Sequence, residues 1–351
     1  MSTLVSINRP KRGSNIMHKT DSYNCLLATG LKLDTILKLN LIKTNFDYRE
    51  SNGGITLRLT TKLKNRLQQP SLIMAPGVVD AMNARLVAEA GFEAIYMTGA
   101  GTTAARLGMP DVGLLSVVEM ADNAGRIADA SGLPLISDAD TGYGSPVNVF
   151  RTVSLFEKAG VAGIHIEDQN WPKRCGHLAG KTLIPANEMA AKINAACDAR
   201  KDSDFTIIAR TDALALHGLN AALDRAKLYE EAGADVIFVE SPQTEEEIST
   251  IPKSLSAPTL FNMASSGKTP FLSRDEIQNY GYKLAIYPNF AMLAAIPAVR
   301  NYLSQLRETG TVSHIVENMA SFQDLFNLLG MEDVKAMEER YSVDDKARVG
   351  F

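Results

Sequence analysis

The chain has 351 residues, of which 45% are apolar and 22% charged, and a net charge of −4. That is enough apolar material for a sizeable core, and the absence of a long basic run argues against nucleic acid as a partner. The cysteines, Cys25, Cys175 and Cys197, show no paired spacing, which argues against a disulfide framework and suits a reducing compartment; no apolar run approaches the roughly 18 residues of a membrane span.

Residues 1–54 differ from the rest of the chain. They carry Arg9, Lys11, Arg12, Lys19, Lys32, Lys38 and Lys43, with only Asp21 and Asp34 as acids up to residue 46, and no sustained periodicity. They are expected to form an extension that is either disordered or a targeting segment, since transit peptides are basic and poor in acids. No secretory core is visible, so a cytoplasmic location is expected, or the mitochondrial matrix if the extension is a transit peptide.

From residue 55 the pattern is regular. Strands are expected at 72–77, 93–99, 134–139, 162–168, 206–212, 235–241, 257–263 and 282–288, each followed by a segment able to form a helix. The helix predicted over 145–159 sets Val149, Val153 and Phe156 on one face, and that over 219–232 does the same with Ala222, Ala226 and Tyr229. The runs Glu89-Ala90-Gly91, Lys158-Ala159-Gly160 and Glu231-Ala232-Gly233 each end a helix on a glycine just before a strand. Alternation of this kind implies parallel pairing with right-handed crossovers. Eight units suggest an α/β fold closed into a (β/α)8 TIM barrel over 55–335, with a C-terminal tail at 336–351. An open doubly wound sheet is the alternative, but no G-x-G-x-x-G run follows the first strand.

Barrels of this class place their chemistry at the C-terminal strand ends. The second strand ends in Thr98, Gly99 and Ala100, small residues whose free N–H groups can hold a carboxylate. The third ends in Asp138 and Asp140, expected on one strand face, where two like charges call for a cation. Oxygen ligands suit Mg²⁺ or Mn²⁺ better than zinc. The fourth carries His165 and Glu167, again on a shared face. It leads into Lys173-Arg174-Cys175-Gly176-His177, where two cations favour a thiolate, His177 can move a proton, and Gly176 permits a tight loop. Arg210 and Asp212, Glu240 and Asn262 occupy the next three ends. Arg210 can bind a carboxylate bidentately, and Glu240 can orient it or a water.

These residues, above all KRCGH at 173–177, DADTGYG at 138–144 and HIEDQ at 165–169, resemble the isocitrate lyase and phosphoenolpyruvate mutase superfamily, in the branch of methylisocitrate and 2,3-dimethylmalate lyases. The resemblance covers about residues 60–335. It implies a Mg²⁺- or Mn²⁺-dependent barrel, assembled as a homotetramer with a C-terminal helix swapped between subunits. It further implies that Asp138 binds the metal directly and that Asp111, Asp140 and Glu167 hold it through water. Thr98, Gly99 and Ala100 stand where the family binds a substrate carboxylate, and Tyr96 where a base or oxyanion partner is proposed. Cys175 matches the acid that protonates the carbanion. Lys173, His177, Arg210, Glu240 and Asn262 match further site positions, and His165, Gly176 and Pro288 are expected against the substrate.

There are departures. The family's Ser-Gly-Gly is Thr98-Gly99-Ala100 here, and KRCGH is followed by Leu178-Ala179-Gly180-Lys181 rather than Arg-Pro-Asn-Lys. That change leans toward the dimethylmalate lyase and oxaloacetate hydrolase branch, while Pro288 stands where a hydrolase would have serine. The expected activity is cleavage of a 2-hydroxy di- or tricarboxylate, of 2-methylisocitrate or 2,3-dimethylmalate type, to pyruvate and a second carboxylate. An oxaloacetate hydrolase, a mutase-type enzyme and a non-catalytic oligomeric barrel are the alternatives.

Overall fold

The computed structural model describes residues 57–174, 176, 180–265 and 267–342. The extension, Cys175, His177 and the last part of the tail lie outside the described residues. Eight parallel strands, β1 (Ile73–Val78), β2 (Ile95–Met97), β3 (Leu135–Asp138), β4 (Gly163–Glu167), β5 (Thr206–Thr211), β6 (Val236–Val239), β7 (Thr259–Asn262) and β8 (Leu284–Tyr287), close into a barrel in sequential order. Every expected strand is there, and the open sheet is ruled out because β8 pairs with β1.

Helix α1 (Leu59–Leu67) precedes the first strand. Then come α2 (Ala81–Glu89), α3 (Gly99–Leu107), α4 (Val117–Ser131), α5 (Pro146–Lys158), α6 (Ala186–Ala199), α7 (Leu214–Glu231), α8 (Glu245–Lys253), α9 (Arg274–Tyr280), α10 (Phe290–Thr309), α11 (Phe322–Leu328) and α12 (Met331–Tyr341). Helix α12 runs on to Tyr341, six residues into the expected tail. Among the described residues, no helix is long and apolar enough to cross a membrane.

Local chemistry starts and stops these helices. Ser116 with Glu119, Thr244 with Glu247 and Ser273 with Glu276 form reciprocal caps that satisfy the first free N–H groups of α4, α8 and α9. The repeated Ala-Gly ends behave alike. Gly91, Gly160 and Gly233 take φ of 80°, 82° and 100°. The amide after each reaches back to Val87, Phe156 and Tyr229 carbonyls, closing the last turn and aiming the chain into the next strand. In α7 the backbone breaks at Gly218 (φ 80°, ψ 178°), so its regular part begins where the periodicity places it.

The core has two layers. Ile73, Ala75, Tyr96, Ile136, Ile208, Val236, Phe238, Leu260, Leu284 and Ile286 fill the barrel, joined by Leu63 and Leu67 of α1. Alternate strand residues, among them Ile164, Ile166, Ile207, Ala209 and Phe261, pack outward against the helices with Val149, Val153, Phe156, Ala222, Ala226 and Tyr229. Nothing in the sequence pattern singles out α1 for its place under the barrel.

Phe156 and Val147 share α5 but not its environment: Phe156 is fully buried, Val147 is 81% exposed. Phe156→Ala should cost about 3–5 kcal/mol by urea unfolding. Val147→Ala should stay within about 0.5 kcal/mol, and equal losses would contradict the assignment of the buried face.

Candidate active site

Following the inward row of each strand upward leads from apolar to polar side chains. Tyr96 of β2, Ile136 then Asp138 of β3, His165 then Glu167 of β4, Ile208 then Arg210 of β5, and Leu260 then Asn262 of β7 occupy it. Phe238 continues to Glu240 just past β6. The register sets Asp138 beside His165 and Glu167 beside Arg210. The period of two thus delivers the polar groups to one mouth, as the strand ends imply.

Asp140 gets there by another route. It is expected on the strand face of Asp138, but β3 stops at Asp138 and Asp140 adopts φ 47°. Its N–H donates to Asp138 Oδ1 at 2.9 Å, and that turn, not strand alternation, brings the second carboxylate round. The Lys173 ammonium then joins Asp140 Oδ1 at 2.7 Å and Asp111 Oδ2 at 2.6 Å. Gly99 also differs from its expected place in a carboxylate nest. Its N–H donates to Asp138 Oδ2 at 3.1 Å, and a Cβ there would stand 2.5 Å from the same oxygen. Thr98 Oγ1 accepts the Gly101 N–H and donates to Asn289 Oδ1. Thr98 and Ala100 face the cavity.

His165 is expected against substrate. It is instead fully buried below Tyr96, whose hydroxyl lies 2.7 Å from His165 Nε2, and it does not line the cavity. Burial, aided by Arg210 and Lys173, pushes the imidazole down to about 4 against the pull of Asp138, so it is neutral near pH 7. Burial and the Asp138 charge push the Tyr96 phenol well up, so it stays protonated.

Arg210 is gripped from several sides. Nε and Nη2 donate to Asp212 Oδ2 and Oδ1 at 2.9 and 3.1 Å, Nη1 lies 3.4 Å from Glu167 Oε2, and the guanidinium sits over Phe238. Asp212 is shared with Lys181 Nζ at 2.8 Å, and its N–H donates to Asp168 Oδ1. Asp168 is itself bound by Thr211, Arg225 and Tyr229. Burial opposes the Asp212 charge, but Arg210 and Lys181 hold it below the usual carboxylate range. Asn262 Nδ2 donates to Glu240, and Ser241 (φ 60°) adds its hydroxyl to the same carboxylate.

Together these residues line a cavity of about 130 Å³. Its polar wall includes Tyr96, Thr98, Asp111, Asp138, Glu167, Lys173, Arg210, Glu240 and Asn262, and its apolar wall is Ala100, Ala264, Ile286, Pro288 and Leu293. Gly176 lines it too, packed so closely that a Cβ would strike Arg210 and approach Glu240 within 3.1 Å. Sequence reasoning missed Asn289, Leu293 and Lys181. Asn289 is the immediate neighbour of Pro288, a position the sequence does mark, but Leu293 carries no sequence signal of its own.

Charge decides what this mouth can hold. Asp111, Asp138, Asp140, Glu167, Asp212 and Glu240 are buried there, and among the described residues Lys173, Arg210 and Lys181 are the cations set against them. Glu167 Oε1 receives no hydrogen bond. Burial pushes Glu167 well up and Asp140 up to about 6, with neighbouring carboxylates adding and Lys173 opposing. Among the described residues, no three such groups already form a closed ligand cage. A surplus of buried carboxylates, with one Glu167 oxygen undonated, nevertheless fits a hard, oxygen-preferring cation.

Removing Lys173 should expose the repulsion it offsets. Lys173→Met should cost about 3–5 kcal/mol at neutral pH, because buried carboxylates lose their partner. A raised Asp140 is protonated more readily folded than unfolded, so its penalty is absent below its unfolded value, builds up to about 6 and is complete above it; without Lys173, which opposes the rise, that range extends to higher pH. The loss in urea midpoint should therefore be smaller at about pH 5 than at about pH 7.5, and a loss independent of pH would contradict this assignment.

Comparison with known proteins agrees with this geometry. The family profile described as phosphoenolpyruvate phosphomutase matches residues 63–307. The 2,3-dimethylmalate lyase of Eubacterium barkeri is 43% identical over 286 residues, 82% of this chain and 99% of that protein. The 2-methylisocitrate lyase of Aeropyrum pernix is 40% identical over 299 residues, 85% and 94% of the two chains. A crystal structure of 2,3-dimethylmalate lyase superposes with a TM-score of 0.79 at 37% identity, covering 84% of this chain and all of that one. A phosphonopyruvate hydrolase in complex with oxalate and Mg²⁺ gives 0.75 at 32%, covering 81% and 99%. The chain belongs to the phosphoenolpyruvate mutase/isocitrate lyase superfamily and is one of its lyases.

Proposed function

We propose that the chain is a divalent-metal-dependent lyase that cleaves the C2–C3 bond of a 2-hydroxy di- or tricarboxylate, of 2,3-dimethylmalate or 2-methylisocitrate type, to pyruvate and a second carboxylate. The observation that carries this is the surplus of buried carboxylates beside a cavity that also presents Arg210 and an apolar wall. Asp138 would hold Mg²⁺ or Mn²⁺ directly, with Asp111, Asp140 and Glu167 around it. A bound cation would supply the charge that lowers the substrate hydroxyl pKa. The names of the similar lyases support the reaction class.

The chain's own residues account for the remaining tasks. Arg210, held flat by Asp212, presents its guanidinium to a substrate carboxylate. Thr98 and Ala100 border the same space. Glu167, raised by burial and with one oxygen undonated, is suited to accept the hydroxyl proton. Tyr96, protonated at rest, suits the oxyanion-partner role better than that of base. As the bond breaks, its electron pair stays on the departing carboxylate fragment. Cys175 of the KRCGH motif would protonate that carbon, with His177 assisting; both lie outside the described residues. The apolar wall of Ile286, Pro288 and Leu293 fits alkyl groups on the cleaved carbons. Pro288 offers no hydroxyl, which favours the lyase over an oxaloacetate hydrolase.

Assembly as a homotetramer through the C-terminal helices is part of the same proposal. No residue of α10 is buried, although it carries Leu293, Ile296, Val299, Leu303 and Leu306. A long helix with that apolar content is expected to find a partner surface.

With Mg²⁺ present, the chain should release a keto acid from 2,3-dimethylmalate or 2-methylisocitrate, and Asp138→Ala should lower turnover by at least about a thousandfold. Activity persisting in chelator, or oxalate formed from oxaloacetate alone, would overturn the lyase reading. Val299→Glu with Leu303→Glu should convert a tetramer to smaller species by light scattering; a parent chain that is already monomeric would refute the assembly.

A further inference from the structure

Lys181 is a buried cation that the proposed chemistry leaves without a task. Its ammonium donates to the Gly176 carbonyl at 2.5 Å and to Asp212 Oδ1 at 2.8 Å. Asp212 is the carboxylate that fixes the Arg210 guanidinium, and Gly176 is the residue whose backbone lies against that guanidinium and Glu240. One ammonium therefore ties together the two groups that flank Arg210: the Gly176 backbone on one side and the β5 end on the other.

We propose that Lys181 is a positioning residue that sets the orientation of Arg210 for a substrate carboxylate and holds Gly176 against it. The inference rests on the reading of Arg210 as the carboxylate-binding group. Asp212 faces two cations, and its two oxygens are divided between them. Oδ2 accepts from Arg210 Nε, while Oδ1 accepts from both Arg210 Nη2 and Lys181. Without Lys181, Oδ1 is free to turn wholly toward Arg210, and nothing among the described residues draws the Gly176 carbonyl toward β5. The surrounding frame makes the contact specific. Asp168 accepts the Asp212 N–H, and an isolated antiparallel bridge between Gln169 and Leu183 brings Lys181 back alongside the start of the KRCGH segment. Gln169 clamps Arg174 through its N–H and carbonyl, two residues before Gly176. Lys181 does not line the cavity, so it acts through Asp212 and Gly176 and not on the substrate.

The test uses the full chain with two readouts. Amide hydrogen exchange over 170–176, without ligand, reads the anchoring of the segment. Calorimetric titration with malonate and Mg²⁺ reads the presentation of Arg210. Lys181→Met should speed exchange at 174–176 about tenfold, the ratio set by about 1.4 kcal/mol, and weaken malonate by a similar factor. Acetate affinity should change little. In Asp212→Asn the further Lys181→Met change should add less than about twofold, since contacting residues couple. Unchanged exchange in Lys181→Met, or penalties that simply add in the double variant, would overturn the proposal. Lys181→Gln repeats the measurement should the methionine variant prove unstable. If the parent chain fails to bind malonate while Lys181→Met still speeds exchange, the carboxylate role of Arg210 falls but the anchoring by Lys181 stands.

Discussion

Repulsion among carboxylates is the constraint on which the barrel mouth depends. Asp111, Asp138, Asp140, Glu167, Asp212 and Glu240 are nearly all out of water, where a charge is costly unless compensated. Lys173 between Asp111 and Asp140, and Arg210 among Asp212, Glu167 and Glu240, supply that compensation. Lys173 reaches the centre from the loop after β4 and Arg210 from β5 itself, so the charges that would force the mouth apart instead fix the polar side chains that line it. Balance is not complete, and the remaining negative charge is what a divalent cation would meet.

The backbone bears part of this burden. Asp140, Tyr143 and Ser241 all take positive φ, a region that non-glycine residues seldom occupy, and all three lie at the mouth. At Asp140 the unusual turn sets a carboxylate beside Asp138. At Ser241 it turns the hydroxyl back onto Glu240. Glycines serve approach rather than strain. Gly77 lies under the Pro288 carbonyl, Gly99 under the Asp138 carboxylate, and Gly176 against Arg210, where no Cβ would fit. The apolar layers below hold this arrangement in place, with the inward strand row changing from packed residues to functional ones within one step.

The eight strands are legible because β-branched runs alternate with helical periods and Ala-Gly ends punctuate them. Strand-end polar residues are legible for the same reason: a period of two carries Asp138, Glu167, Arg210 and Asn262 to one side. What the sequence conceals is set by tertiary geometry. No local pattern shows that Asp140 leaves the strand and returns by a left-handed turn, or that Gly99 spends its N–H on Asp138. His165 reads as a substrate contact until its burial beneath Tyr96 is known. Lys181, twelve residues past Gln169, joins the site only because the two stem segments pair. Leu293 enters from a helix whose sequence resembles any other amphipathic segment.

Family membership and site geometry converge on the same claim, that these carboxylates gather around one cation beside Arg210. The most direct measurement is anomalous diffraction from crystals of the full chain soaked in Mn²⁺. The account predicts one strong site at the barrel mouth, with Asp138 as a direct ligand and Asp140 and Glu167 nearby. Manganese bound only elsewhere, or a mouth that stays free of it while Lys173 keeps Asp111 and Asp140 paired, would contradict it.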